Sequence, residues 1–232
     1  MIRCVWEHNG QDTLLHAVDY PGAYTRGRCF DEAAAKMPGE IASWLRWAGR
    51  EEPVPVGIAV VEDIACTLKV QDADSDVLFA VEREPMTREE YDALKALTLG
   101  SAADFHALYL SIPDPDKTAI APRETFYGAL PRTAREMYAH TRQVNSYYFG
   151  EIGVDVDSEG DILSCRERGF AALETVPDFL LQPPCEGSWG EWWSLRKVLR
   201  RFIWHDRIHA RAMVRMAKAT FGTCDDPFGF DR

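Results

Sequence analysis

Two histidines in the last part of the chain have the spacing of paired metal ligands. His205 and His209 are four residues apart in a segment where apolar residues recur every three or four positions, from Val198 through Phe202 to Met216. This period predicts a helix that turns one apolar stripe towards the protein interior. Both imidazoles fall on that stripe with Cβ atoms about 5–6 Å apart, so they could bind one ion together.

A third imidazole is expected from a second helix. His140 lies well inside an earlier helical segment, with Met137 and Thr141 on neighbouring positions of its predicted inner face. Helix bundles build metal sites from side chains on facing helices. The sequence therefore predicts a divalent metal site formed by His140, His205 and His209.

Such a site would be suited to chemistry because it is incomplete. Three neutral imidazoles leave open coordination positions on Zn²⁺, Ni²⁺, Mn²⁺ or Fe²⁺, and imidazole alone does not select among these ions. A water or thiol at an open position would lose its proton near neutral pH and become a nucleophile. Glu136 and Asp206 lie close to the ligands in sequence. Each is expected either to orient an imidazole through its second nitrogen or to be a solvated helix charge.

Ordinary core packing is the alternative explanation for the same histidines. Two histidines spaced by four residues occur by chance in many helices, and a histidine on an apolar face is commonly a hydrogen-bonded core residue. A buried neutral imidazole without a partner, however, costs about 1–3 kcal/mol. A shared metal ion would remove that cost, so the metal site is the favoured interpretation.

The other three histidines are predicted to lie outside the site. His8 precedes an Asn-Gly turn signal and is expected to be solvated, and His16 lies in a strand and is expected to face water. His106 is expected to take part in surface or core packing.

The chain beyond residue 84 consists of long helical segments separated by proline and glycine. Helices are predicted over residues 86–111, 123–150, 161–181 and 190–221. Thr87, followed three residues later by Glu90, is a capping box at the start of the first of these segments. Four amphipathic helices joined in this way predict a four-helix bundle.

The first 82 residues have shorter periods. Runs rich in β-formers predict strands at 2–6, 13–18, 56–61 and 77–81, and a helical pattern covers 31–47. The expected fold class is α+β. A small β-β-α-β unit with a fourth strand, its helix packed on an antiparallel sheet, occupies residues 1–82, and the four-helix bundle occupies residues 83–232.

Short motifs around the three histidines resemble the DinB/YfiT-like family. Residues 136–141 read EMYAHT and residues 204–211 read WHDRIHAR. Members of that family place one histidine on the second helix of a four-helix bundle and an H-x-x-x-H pair in the last third of the domain, where they bind a divalent metal. The resemblance covers residues 85–220 and implies thiol transfer or metal-assisted hydrolysis. Many members continue with Arg-Gly-Gln, whereas this chain has Ala210, Arg211 and Ala212, so no role carries over to those positions.

A second resemblance lies near the start of the chain. Residues 20–33 read YPGAYTRGRCFDEA, which is similar to the P-G-x-x-x-x-G pattern and acidic-Glu-Ala helix opening of HicB-like domains. It covers residues 1–65 and implies a small α/β sandwich without an active site.

Composition excludes several classes of partner. The net charge of −11 would repel nucleic acid and an anionic membrane surface. The most apolar run, 56–61, is far shorter than the roughly 20 residues that span a bilayer. The first twenty residues have no unbroken apolar core of a secretory signal, and the six cysteines contain no C-x-x-C pair, so a cytoplasmic protein with reduced thiols is expected.

Two functions are consistent with these features. The first is a metal-dependent thiol transferase or hydrolase that acts on a small molecule or a low-molecular-weight thiol. The second is a non-catalytic binding or regulatory module in which the metal is structural or absent. An aromatic group that includes Trp189, Trp192 and Trp204 could wall a pocket for an apolar substrate, or serve packing or a subunit contact. A homodimer paired through helices is also consistent with a bundle.

Overall fold

A four-stranded sheet, two short strand pairs and five α-helices make up the regular structure of the computed structural model, which describes residues 1–125 and 128–230. The fold is therefore α+β. The strands are β1 Ile2–His8, β2 Thr13–Ala17, β3 Tyr24–Gly27, β4 Ile58–Ala65, β5 Glu124–Thr125, β6 Gly128–Ala129, β7 Cys185–Glu186 and β8 Trp192–Trp193. The helices are α1 Phe30–Trp47, α2 Arg88–Leu110, α3 Ala134–Gly150, α4 Ile162–Leu173 and α5 Leu195–Phe221.

The main sheet has the order β3-β2-β1-β4 and is mixed. Strand β1 is antiparallel to β2 but parallel to β4, so the prediction of an antiparallel sheet is wrong. The reason is the connection, because α1 carries the chain back between β3 and β4 and allows a parallel pairing. Met37, Ile41 and Trp44 on α1 pack against Leu15 and other apolar side chains of the sheet.

The fourth strand of the sheet is not the predicted one. Residues 77–81 form no strand, and Ala80–Arg83 is a turn of 3-10 helix. The side chains of Val77 and Phe79 instead pack on Val5 of β1, and the carbonyl of Val77 accepts a hydrogen bond from Arg200. The strand that the sequence analysis did not predict is β3, which follows a turn at residues 20–23 and pairs with β2.

Helices α2 to α5 pack on one another. Helix α5 contacts α2 and α3, and α4 contacts the same two helices. One cluster of buried side chains includes Phe105, Met137 and Met213. A second cluster includes Phe149 and Phe202, so α5 runs past both.

The ends of these helices differ from the predicted ends. The Thr87–Glu90 capping box is confirmed, but the second helix begins only after the N-cap Thr133, because the chain before it turns at Gly128. Helix α4 ends at Leu173, ahead of Pro177, rather than at residue 181. Helix α5 begins after the N-cap Ser194 rather than at residue 190. Residues 126–127 of the predicted helix 123–150, and 231–232 of the predicted domain, lie outside the described residues.

The N-terminal residues and α5 are in close contact. Glu40 on α1 forms ion pairs with both Arg207 and Arg211 on α5. Gly22 lies against the backbone of Trp204 so closely that an added Cβ would come within 2.8 Å of its nitrogen. The part of α5 around Trp204 and Arg207 is therefore covered by the N-terminal residues rather than by water.

No helix among residues 1–125 and 128–230 has the length and apolar composition needed to cross a bilayer. All six cysteines are free thiols.

Candidate metal centre

Three histidines from two helices meet at one point. His140 lies on α3, and His205 and His209 lie one turn apart on α5. The Nε2 atoms of His140 and His205 are 3.3 Å apart. One nitrogen from each of the three rings lies within 4.8 Å of the other two, so the three predicted ligands are brought together.

The surrounding contacts explain why the rings converge. Helix α3 packs on α5, and Asn145 ties α3 to α4 by donating to the carbonyl of Cys165. Asp206 on α5 pairs with Arg166 on α4, and both side chains are fully buried. With Asp206 held in this buried pair, the adjacent His205 faces His140 on α3.

The three imidazoles have lowered pKa values, which favour the neutral form that can bind a cation. Burial lowers the pKa of His140. Burial, followed by the charge of His140, lowers the pKa of His209 to about 3. Burial and then the two neighbouring histidines hold the pKa of His205 well below its ordinary value. Near pH 7 the rings therefore carry free lone pairs.

The donor set fits a divalent ion. Two nitrogens at the Zn–N distance of about 2.0–2.1 Å in a tetrahedral site are about 3.3–3.4 Å apart. The Nε2 separation of 3.3 Å between His140 and His205 agrees with that value. The Nδ1 atom of His205 is buried and has no hydrogen-bond partner among the described residues, so none of these residues orients the ring through its second nitrogen.

The histidines line a cleft of about 1040 Å³ between the N-terminal residues and the helices. Tyr24, Ser75, Tyr148 and Trp204 are among the residues that line it. His140 is the most exposed of the three histidines. A small molecule could therefore reach the nitrogens from the cleft.

The two carboxylates expected near the ligands have other roles. Glu136 caps α3 by accepting hydrogen bonds from the backbone nitrogens of Arg132 and Thr133. Asp206 accepts from Ser101 and Arg166. Neither carboxylate is hydrogen-bonded to a histidine of the cluster, because each is engaged by these other groups.

The remaining histidines lie outside the cluster, as predicted, but not all in the expected surroundings. His16 is buried and bonded to Glu7 at 3.2 Å, so the expectation that it faces water is wrong. His8 pairs with the exposed Asp63. His106 bonds to the hydroxyl of Tyr138, in agreement with a packing role.

Sequence reasoning missed the arginines of α5. Arg200, Arg201 and Arg207 fall off the apolar stripe of α5, yet each is at most 9% exposed. Their partners come from the N-terminal half, where Glu82 binds Arg200 and Glu40 binds Arg207. The only signal in the sequence is the acidic character of that half, which does not specify which pairs form.

Comparisons of the chain with protein-family models, with curated proteins and with solved structures find no match. Any assignment of function therefore depends on the three histidines and the cleft beside them.

Proposed function

We propose that this protein is a metal-dependent enzyme of the DinB-like type, in which His140, His205 and His209 hold a divalent ion. The observation that carries the proposal is the convergence of three neutral imidazoles, two of them at the separation expected for a tetrahedral site. In this proposal α2 to α5 are the four-helix bundle of a domain at 83–232. Residues 1–82 are a HicB-like domain that supplies one wall of the cleft.

The reaction would be thiol transfer or hydrolysis of a small molecule. The chemistry supplied by a bound divalent ion is Lewis acidity, which lowers the pKa of a coordinating thiol or water. The histidines would hold the ion, and the aromatic rings of Tyr148 and Trp204 would limit water around the reacting groups. Zn²⁺, Ni²⁺, Mn²⁺ and Fe²⁺ are all compatible with three imidazoles.

A non-catalytic binding module is the second candidate. It is favoured by the same 3.3 Å contact, since two neutral imidazoles at that distance could share a hydrogen bond without a metal. In that case the cleft would bind a ligand or protein without chemistry.

Elemental analysis of the purified full chain tests the proposal. After incubation with Zn²⁺ and removal of free ion, we expect about one equivalent of zinc in the wild type. The matched variants are His140→Ala with His205→Ala, which should retain none, and His8→Ala, which removes a histidine paired with Asp63 outside the cluster and should retain all of it. Equal zinc content in all three proteins would contradict a histidine metal site.

A further inference from the structure

The cleft beside the histidines has the opposite charge balance to the rest of the chain. Among the described residues that line it, seven are Lys or Arg and three are Asp or Glu. The whole chain has 26 basic and 37 acidic residues. Basic residues are therefore concentrated in the cavity that the proposed metal site faces.

Several of these cations form no ion pair with a carboxylate among the described residues. Arg26 donates to the backbone carbonyl of Gln71, and Lys36 donates to the backbone carbonyl of Arg26. Arg215 is exposed on α5 and forms no ion pair with a carboxylate in the part of the chain that the structure describes. The charges of these three groups are thus available to a ligand.

A further cation lies next to the histidines themselves. Arg201 precedes His205 by one turn of α5, lines the cleft and is only 9% exposed. One of its nitrogens donates to the carbonyl of Ser75, while its Nε has no partner among the described residues. Its nearest carboxylate, Glu191, is 3.7 Å away and lies closer to Lys197, at 2.8 Å. One carboxylate therefore serves two buried cations.

The ring of Tyr148 connects Arg201 to the histidine cluster. The guanidinium carbon of Arg201 is 5.7 Å from the centre of that ring, and the His205 ring is 6.1 Å from it on centres. A ligand that contacts Tyr148 would therefore lie near both the cation and the proposed metal.

Local charge outweighs net charge inside such a cleft. The net charge of −11 repels anions only at long range, and salt screens that repulsion beyond about 8 Å at physiological ionic strength. Within a cavity with low-dielectric walls, nearby cations dominate the field that a bound molecule experiences.

We propose that the cleft binds a small-molecule substrate that carries an anionic group, either a carboxylate or a phosphate. Arg201 holds that group together with the cations Arg26, Lys36 and Arg215. The reactive end of the molecule then reaches the three histidines. This inference rests on the proposed function, since it names the class of substrate for the same site.

Three thiols of similar size and different charge test the inference. Anionic 3-mercaptopropionate, neutral 2-mercaptoethanol and cationic cysteamine would be titrated by calorimetry into the full chain loaded with Co²⁺. We expect 3-mercaptopropionate to bind about tenfold more tightly than 2-mercaptoethanol, because a charge-assisted hydrogen bond is involved. Cysteamine should bind most weakly, and the differences should shrink at high salt. Succinate and inorganic phosphate, used as competitors, distinguish the two kinds of anionic group.

Charge-removing variants show whether the cleft causes the preference. Arg215→Gln, on the surface, should reduce the preference for 3-mercaptopropionate several-fold, and Arg201→Gln should abolish it. Arg88→Gln is the matched control, because Arg88 is exposed on α2, pairs with Asp92 and lies outside the cleft. For each thiol, the affinity for the variant is divided by the affinity for the wild type. The different acidities of the thiols affect both proteins equally and therefore do not influence this ratio. Since Arg215 is exposed, its variant gives a result that does not depend on a buried substitution.

The outcomes separate this inference from the proposed function. If Co²⁺ produces no d–d absorption bands, the metal site is wrong, and titration of succinate into the metal-free protein still decides whether the cleft binds anions. If the bands appear but the wild type shows no preference for 3-mercaptopropionate, or Arg215→Gln and Arg201→Gln keep the full wild-type preference, the anionic substrate is wrong. Loss of the preference in Arg88→Gln as well would also overturn it.

Discussion

The Nε2 atoms of His140 and His205 lie 3.3 Å apart although 65 residues separate them in the chain. The contact forms where α3 packs on α5, beside the buried ion pair between Asp206 and Arg166. Two imidazoles held this way by packed helices would need little rearrangement to bind the proposed ion. Preorganisation of this kind lowers the entropic cost of binding.

Metal binding should stabilise the folded protein through His209. At a Zn²⁺ concentration of about 100 times the dissociation constant, the gain is about 2.7 kcal/mol, which corresponds to a rise in unfolding temperature of roughly 5–10 °C for a chain of this size. Differential scanning fluorimetry with and without Zn²⁺ measures it. His209→Ala should lose the shift and His8→Ala should keep it, so an equal shift in both variants would argue against the cluster.

The metal-free protein should lose stability in mild acid because of the same histidines. The pKa of His209 in the folded state is about 3, below the value of about 6.5 of an unfolded chain. The unfolded state therefore binds more protons between these values. The contribution of neutral His209 to the free energy of unfolding is fully present above pH 6.5. It is lost as the pH falls towards 3, with a slope of up to about 1.4 kcal/mol per pH unit.

Urea denaturation of wild type and His209→Gln across that pH range isolates the effect from the carboxylates, which titrate in both proteins. The difference in unfolding free energy between the two should become smaller or change sign as the pH falls. A difference that stays constant from pH 7 to pH 4 would mean that His209 is not held neutral.

Removing Asp206 should be far more costly than removing an exposed partner. Asp206 and Arg166 are both fully buried, so Asp206→Ala leaves an uncompensated guanidinium inside the protein and should cost about 3–5 kcal/mol. Asp92→Ala breaks the exposed pair with Arg88 on α2 and should cost less than about 1 kcal/mol. Chemical denaturation of both variants measures the two decreases in the free energy of unfolding. Similar decreases would show that the buried ion pair stabilises the protein no more than the exposed one.

The contact between Gly22 and α5 should be sensitive to a single methyl group. Gly22 and Gly10 share a φ of +81°, but a Cβ on Gly22 would lie 2.6 Å from a side-chain carbon of Ile203, whereas a Cβ on Gly10 meets nothing within 4 Å. Both alanine variants bear the backbone strain, so their difference reports the clash. We expect Gly22→Ala to be less stable than Gly10→Ala by about 1–3 kcal/mol, as measured by thermal or urea unfolding.

Equal stabilities of the two glycine variants would show that α5 moves away from the turn without cost. The same samples also report on the cleft, since Gly22 lies beside Trp204, which lines it. Zinc affinity of Gly22→Ala should fall with its stability if the N-terminal residues help to position α5.

Local features of the sequence were enough to predict the elements that carry the site. The apolar period around His205 and His209 specified a helix and the face that both rings share, and the capping box at Thr87 and Glu90 marked a true helix start. His140 could be chosen because its neighbours Met137 and Thr141 lie on a buried face of α3. These signals work because a helix repeats every 3.6 residues, so the buried face of a helix has apolar residues every three or four positions in the sequence.

Only the tertiary structure decided what surrounds that site. The burial of Arg201 and Arg207, the parallel pairing of β4 and the pairing of Asp206 with Arg166 all depend on chain segments far apart in sequence; Glu40 and Arg207, for example, are 167 residues apart. A charged side chain has the same local pattern whether it faces water or a distant carboxylate. Its burial is settled by the packing of the N-terminal sheet and helix against α5, and that packing also creates the cleft.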